Sequence, residues 1–334
     1  MTAETHTPTP SPLPPTRAAI RRRAGARVPW QLGGHLGLVV VLLLILVLTS
    51  IGSDAFLTSN NLLNVLRQVS VLAVIAAGLT WLMIAGGIDF SMGSNAVVTM
   101  AIVAHLQYTG ASITLSIFAG IAAASVLGLV NGLVITYTSV APFVATLATA
   151  TVFDGIALYV IDGRSVSAGA ALMTFGTGSV FGIPYLLGIA VVICVVLGLG
   201  LRYTAFGRNA FAIGGNETVA RLSGIPVRRN KILLYTAGGM LAGIAGVMLL
   251  SRLGAASPGV TGLTIQLQAV AAVVIGGTSL AGGRGTMIGT GLGVVLLGTV
   301  ANSLNLMGVS TYFQVMAVGA VLLIAAMANS RRSA

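Results

Sequence analysis

With 334 residues, 56% of them apolar, only 7% charged and a mean hydropathy of +1.00, the chain has too little charge to coat a globule and too many apolar runs for one core. A soluble domain is excluded, and an all-α polytopic membrane protein is expected. The net charge of +11 does not point to nucleic acid, because the basic residues are scattered between apolar stretches and form no soluble basic face.

Residues 1–29 are rich in Pro and Thr, then in Arg (Arg17, Arg21, Arg22, Arg23, Arg27), with Trp30 following. They read as part of a disordered, basic cytoplasmic tail, 1–34, that ends at the membrane interface. A cleavable signal peptide fits poorly, because the polar lead is too long and further apolar segments follow. Those segments lie at approximately 35–52, 62–86, 93–109, 112–137, 142–161, 184–203, 232–251, 264–280, 286–304 and 311–329. The expectation is therefore a permease-sized domain, 35–329, of about ten transmembrane helices, with a short cytoplasmic C-terminus, 330–334. The second and third segments, and the eighth and ninth, are candidates for broken or re-entrant helices.

Charge sets the orientation. If both termini lie in the cytoplasm, that side holds the arginines of the tail, the basic residues of 202–231, Arg284, Arg331 and Arg332, and leaves Arg67, Arg164 and Arg252 at or near the other side. An internal echo links 73–94 with 269–289: each is an apolar run, a glycine break and a small-residue restart.

The stretch 86–94, GGIDFSMGS, places Asp89 and Ser91 between two apolar segments. Two readings stand. Asp89 or Ser91 caps the following helix, or the break lines a translocation path where freed backbone groups and a carboxylate meet a polar solute. Asp154, inside the segment 142–161, costs roughly 3 kcal/mol or more in lipid unless paired or wetted. It is either a pathway residue or a structural partner of Arg164 or Arg67.

The longest basic interruption, 202–231, contains a short helix with both ends marked. Gly214 and Gly215 break what precedes it, Asn216 caps it, and Glu217 and Arg221 match its dipole. Gly224 and Pro226 stop it. Val219 and Leu222 share one face, which suits docking into a partner's groove. Further on, GGTSLAGGRGTMIG (276–289) lacks the Lys-Ser/Thr ending of a phosphate loop and reads as a tight turn between helices. His6, His35 and His105 lack ligand spacing, and Cys194 stands alone, so neither a metal site nor a disulfide is expected.

FGRNAFAIGGNETVARLSGIPV (206–227) resembles, without gaps, the cytoplasmic loop of ABC importer permeases of the ribose/monosaccharide type. GGIDFSMGS resembles that family's GGIDLSvGs signature, departing at Phe90 and Met92, and GGTSLAGGRG resembles its GGtSlaGGkG motif. The resemblance covers essentially 35–329. It implies a permease subunit in the bacterial inner membrane that translocates a monosaccharide such as ribose. Its coupling loop, 204–231, would present Gly214, Gly215, Asn216, Glu217, Ala220, Arg221, Leu222, Gly224 and Ile225 to a cytoplasmic ATPase. Gly86, Gly87, Gly282, Gly283, Arg284 and Gly285 would form gate or scaffold turns, while Asp89, Ser91 and Asp154 are path candidates. The family pattern has Arg where Asp154 stands, so this position is a departure. Implied partners are a second permease copy (identical or a paralogue), the ATPase subunits and an extracytoplasmic sugar-binding protein. ATP would be bound by the ATPase subunit, and this chain would hold no cofactor and hydrolyse nothing. The alternative is an ion-coupled secondary transporter that uses Asp89 and Asp154 as coupling sites.

Overall fold

The computed structural model describes residues 30–310 and scattered positions between 312 and 323. The order is α1 (Trp30–Gly52), α2 (Ser59–Ile84), α3 (Met92–Tyr108), α4 (Ile113–Tyr137), α5 (Pro142–Val160), β1 (Val166–Ser167), α6 (Ala170–Thr177), β2 (Ser179–Val180), β3 (Ile183–Pro184), α7 (Tyr185–Tyr203), α8 (Ala205–Gly215), α9 (Glu217–Leu222), α10 (Val227–Leu253), β4 (Ala255–Ala256), α11 (Gly262–Ile275) and α12 (Met287–Leu306). The strands are minimal: β1 pairs antiparallel with β4, and β2 with β3.

Helix starts follow local chemistry. The hydroxyls of Thr58, Ser112, Thr204 and Thr286 accept hydrogen bonds from the backbone N–H three residues on, satisfying donors that a helix leaves unpaired. Pro142 opens α5, where its missing N–H is not needed. Gly254, at φ 74°, ends α10 in the left-handed conformation.

Seven helices are long and apolar enough to cross a membrane: α1 (from His35), α2, α4, α5, α7, α10 and α12. They divide by burial. Only 6% of the most apolar window of α1 and 17% of that of α7 is buried, against 56% for α2 and α12 and 67% for α10. Such a distribution is an inner bundle ringed by helices whose apolar side chains face outward, as a hydrocarbon solvent permits.

The expected count of about ten spans is not reached among the described residues. At 17 and 14 residues, α3 and α11 extend only about 25 and 21 Å, short of a hydrocarbon core of about 30 Å. These two helices come from the segments expected to be broken. The predicted segment 264–280 ends at Ile275, where Gly276 lies against Gly289 and Gly277 turns the chain at φ 89°. Segment 232–251 starts earlier than expected, at Val227, since Pro226 caps α10 as well as ending the previous turn. The expected tail, 1–29, the C-terminus, 330–334, and most of the tenth segment, 311–329, lie outside the described residues.

Paired contacts define two faces. Thr286 meets His35, and Arg228 stands 5.8 Å over the Tyr137 ring, on the side of α8 and α9. On the opposite side Asn61 pairs with Asn302, Arg252 donates to Gln68, and Arg164 stands 5.0 Å over Tyr108. The core crossing is between α4 and α10. Gly120, Ala124, Gly128 and Gly132 form a buried stripe four residues apart on α4, and its C-terminal half lies on the α10 backbone. A Cβ on Gly239 would stand 2.4 Å from the Ala124 carbonyl and 2.8 Å from Gly128 Cα. In lipid such small-residue contact drives helix association through dispersion.

Gly128→Leu and Gly239→Leu should therefore each destabilise the bundle by about 1–3 kcal/mol or more. Thermal unfolding in detergent, followed by size-exclusion chromatography, should show lower transition temperatures for both. Gly188→Leu, where a Cβ meets nothing within 4 Å, should match the parent. Parent-like unfolding of the first two variants would contradict the close crossing.

Candidate functional site

The basic loop forms two helices rather than one. α8, not expected from the sequence, runs through Gly214 and Gly215, which continue the helix instead of breaking it. Asn216 then turns the chain, and its Oδ1 accepts from Val219 N at 3.0 Å, capping α9 as predicted. Glu217 accepts from Lys231 Nζ at 2.7 Å and from Arg221 Nη2 at 2.9 Å. Its carboxyl is held below the usual carboxylate range, first by the Lys231 hydrogen bond and then, against some desolvation, by the Lys231 charge and by Arg221. These pairs are partly exposed, so they orient α9 more than they stabilise it. Gly224, at φ 81°, stops α9, with Gly224 N donating to Arg221 O and Ile225 N to Ala220 O.

The faces of α9 are distinct. Ala220 is buried against Ile213 and Val227, with half-buried Ile225 beside them. Val219 and Leu222 are 56% and 84% exposed. Ala220 thus anchors the helix, while Val219, Leu222 and Arg221 are presented outward.

Gly214 ties this loop to the bundle. A Cβ there would fall 1.9 Å from the Ile84 carbonyl oxygen at the end of α2 and 2.7 Å from Gly283 N. Gly283 N donates to that same carbonyl at 2.9 Å. Gly282, at φ 87°, lies against both Gly214 and Gly86, and Gly285 presses on Ile84 and Thr278. Gly87 sits beside the Tyr235 hydroxyl, and Arg284 is exposed at the surface. The structure therefore brings the two glycine turns and the basic loop into one backbone junction, where the glycine breaks of the echoed stretches 73–94 and 269–289 meet.

Behind this junction lies the break between α2 and α3. Asp89 is buried, and its Oδ1 accepts from Ser91 N at 2.8 Å and Ser91 Oγ at 2.6 Å, at the positive end of α3. Asn131 Nδ2 donates to Ser91 Oγ at 2.7 Å. From α11, Gln266 Nε2 donates to the Asp89 carbonyl at 2.7 Å, and its Oε1 accepts from Gly93 N at 3.0 Å. The Tyr235 hydroxyl donates to Ile88 O at 3.2 Å, and Phe90 N donates to Thr146 Oγ1 at 3.0 Å. The N-termini of α3 and α11 overlap here, with Gly93 on Gly262 so closely that neither has room for a Cβ.

Gln266, Asn131, Tyr235 and Thr146 are not among the residues singled out from the sequence. Their signal is a polar group within an apolar run, clearest for Gln266 and Asn131. Asp154 lies outside the network. It is half-buried on α5, and one carboxylate oxygen has no partner. Among the described residues it pairs with neither Arg164, which lies over Tyr108, nor Arg67, which donates to Thr177 O.

Residues 61–326 match the family model described as "Branched-chain amino acid transport system / permease component". The chain belongs to that permease family. It is similar to the ribose import permease protein RbsC of Bacillus subtilis (strain 168), at 42% identity over 91% of this chain and 94% of the relative. RbsC of Escherichia coli (strain K12) is 36% identical over 88% of this chain and 93% of the relative. The L-arabinose ABC transporter permease protein AraH of Azospirillum brasilense is 34% identical over 96% and 94%. This membership sets aside the ion-coupled alternative.

The Gly214 contact yields a direct test. Gly214→Ala must displace either α8 or the end of α2, at a cost of about 1–3 kcal/mol. Gly215→Ala meets nothing within 4 Å and should unfold like the parent. Detergent melting curves of the two variants should separate clearly. Coincident curves would show that α8 does not press on α2.

Proposed function

We propose that the chain is the membrane-spanning subunit of an ATP-driven importer of a monosaccharide, ribose or a closely related sugar. Relatives covered almost end to end are named for ribose and L-arabinose transport, which supports that substrate class. On this reading the α8–α9 face is cytoplasmic, in a bacterial inner membrane, with both termini on that side. A partner ATPase binds and hydrolyses ATP, a second permease copy completes the translocation path, and an extracytoplasmic binding protein delivers the sugar.

The observation that carries the mechanism is the pairing of an anchored side and an offered side on α9. The side chain of Ala220 holds the helix to Ile213 and Val227, while Val219 and Leu222 face outward. Closure of the ATPase on that outward face moves α9 with α8. Gly214 has no compressible side chain, so the displacement passes backbone to backbone into the end of α2 and the 276–286 turn. The end of α2 leads into the start of α3, and the turn follows the end of α11, whose first turns carry Gln266 to the Asp89 carbonyl and Gly93 N. Shifting the two half-helices against each other exposes the path alternately to each side. In the conformation described, Asp89 is buried and holds Ser91 in the turn ahead of α3, and the path role belongs to the moved state.

Burying an apolar side chain the size of Leu222 contributes roughly 1.5–3 kcal/mol, so Leu222→Asp should weaken ATPase binding about tenfold or more. Co-purification of the ATPase and sugar uptake in the same cells should fall together, with permease yield unchanged. Ala220→Glu would instead bury a carboxylate among apolar groups and lower the yield itself. Full ATPase recovery and full uptake in the Leu222→Asp variant would remove α9 as the coupling element.

Asp154→Asn tests the acid in the membrane. If its free oxygen serves the solute, uptake should drop while yield and ATPase recovery hold. A parent-like uptake rate would exclude it from the path.

A further inference from the structure

At the α8–α9 face a groove of about 660 Å³ opens between the end of α4 and the start of α10. Its rim carries Arg221, Arg228 and Arg229, and its apolar wall and floor include Tyr137, Ile232 and Leu233. Arg221 is shared with Glu217 at 2.9 Å, and Arg228 stacks 5.8 Å over the Tyr137 ring. Among the described residues, no acidic side chain forms an ion pair with Arg228 or Arg229. Both belong to the first turn of the 27-residue α10, whose positive dipole end adds to the charge of the guanidiniums.

We propose that this groove binds the headgroup of an anionic phospholipid of the adjacent leaflet. Depth decides the choice of ligand. The chain changes from basic to apolar between Lys231 and Ile232, and the groove is lined from both sides of that boundary. A ligand filling it therefore meets three guanidiniums at one end and exposed hydrocarbon at the other, with Leu233 46% exposed and Tyr137 66% exposed where an interfacial aromatic belongs. A free phosphate would satisfy only the rim. A protein partner reaching Ile232 and Leu233 would have to displace lipid from the membrane-facing side. An anionic lipid matches both ends without further change. Because Arg221 lies on α9 and Arg228 on α10, one phosphate bridging them would fix the angle between the loop helix and the bundle. Lipid binding at this groove does not depend on which sugar is carried.

The test is native mass spectrometry of the purified permease with added phosphatidylglycerol or phosphatidylcholine of identical chains. The parent should retain phosphatidylglycerol preferentially. Each arginine near the surface is expected to contribute about fivefold, so Arg228→Gln with Arg229→Gln should reduce that retention more than tenfold. The charge-keeping pair Arg228→Lys with Arg229→Lys should restore most of it, which separates loss of charge from misfolding. Unchanged retention in the Gln pair would overturn the proposal. So would equal retention of the two lipids by the parent, or displacement of phosphatidylglycerol by millimolar inorganic phosphate. Loss of ATPase co-purification in the Gln pair with lipid retention intact would reassign the groove to a protein contact and also overturn it.

Discussion

Two short helices that start side by side within the bundle impose the constraint on which the rest of this structure depends. Every helix start leaves N–H groups unpaired, and lipid cannot satisfy them. Here the starts of α3 and α11 are laid side by side, and side chains supply what water would. Asp89 holds the N–H and hydroxyl of Ser91 just ahead of α3, and Gln266 reaches across from α11 to serve both the Asp89 carbonyl and Gly93 N. The arrangement requires backbones to touch, so Gly93 and Gly262 have no substitute of larger size at that point. The centre is not fully paired, since Asn131 Oδ1 and Ser94 Oγ are buried there without a partner, and polar groups in such a setting are costly to disturb.

The same economy of side chains recurs at the α8–α9 face. Where Gly214, Gly86, Gly282 and Gly283 converge, carbonyl and amide groups of three separate segments are in direct contact. Long side chains would soften such a junction, because each rotatable bond absorbs part of a displacement. Bare backbone transmits it. The loop helix α9 is short, but it is fixed at both ends and by Ala220, so force applied to Leu222 has few ways to dissipate before it reaches α2.

Much of this is legible in the residues themselves. The α9 cap, its Glu217–Arg221 pair and its Gly224 stop are local, and local chemistry is what a sequence displays most directly. The helices α1, α2, α4, α5 and α7 are visible too, since an apolar run of span length has few other uses. What stays hidden depends on tertiary contact. Gly214 and Gly215 look like helix breakers, yet they complete α8, because Gly214 needs its bare face for Ile84. Asp154 carries no sign of which neighbours it meets, and of its two readings the structural one, a pairing with Arg164 or Arg67, does not form among the described residues. The short α3 and α11 read as spans because periodicity and hydropathy do not reveal the depth at which a helix begins. The stripe Gly120, Ala124, Gly128 and Gly132 is a different case, since its regular spacing alone is enough to mark a helix contact face.

Helix α1 packs chiefly on α12, where the Thr49 and Ser303 hydroxyls meet at 2.7 Å across 254 residues of chain. A ribosome adds about 5–20 residues per second, so α1 is made roughly 10–50 s before its partner exists. During that interval it must remain in the bilayer unaided. Its mean hydropathy, 2.6 over His35–Gly52, is the highest of the seven long apolar helices. The greasiness of α1 is thus explained by the order of synthesis as much as by the finished fold: a helix that waits alone in lipid needs to be stable there before anything holds it.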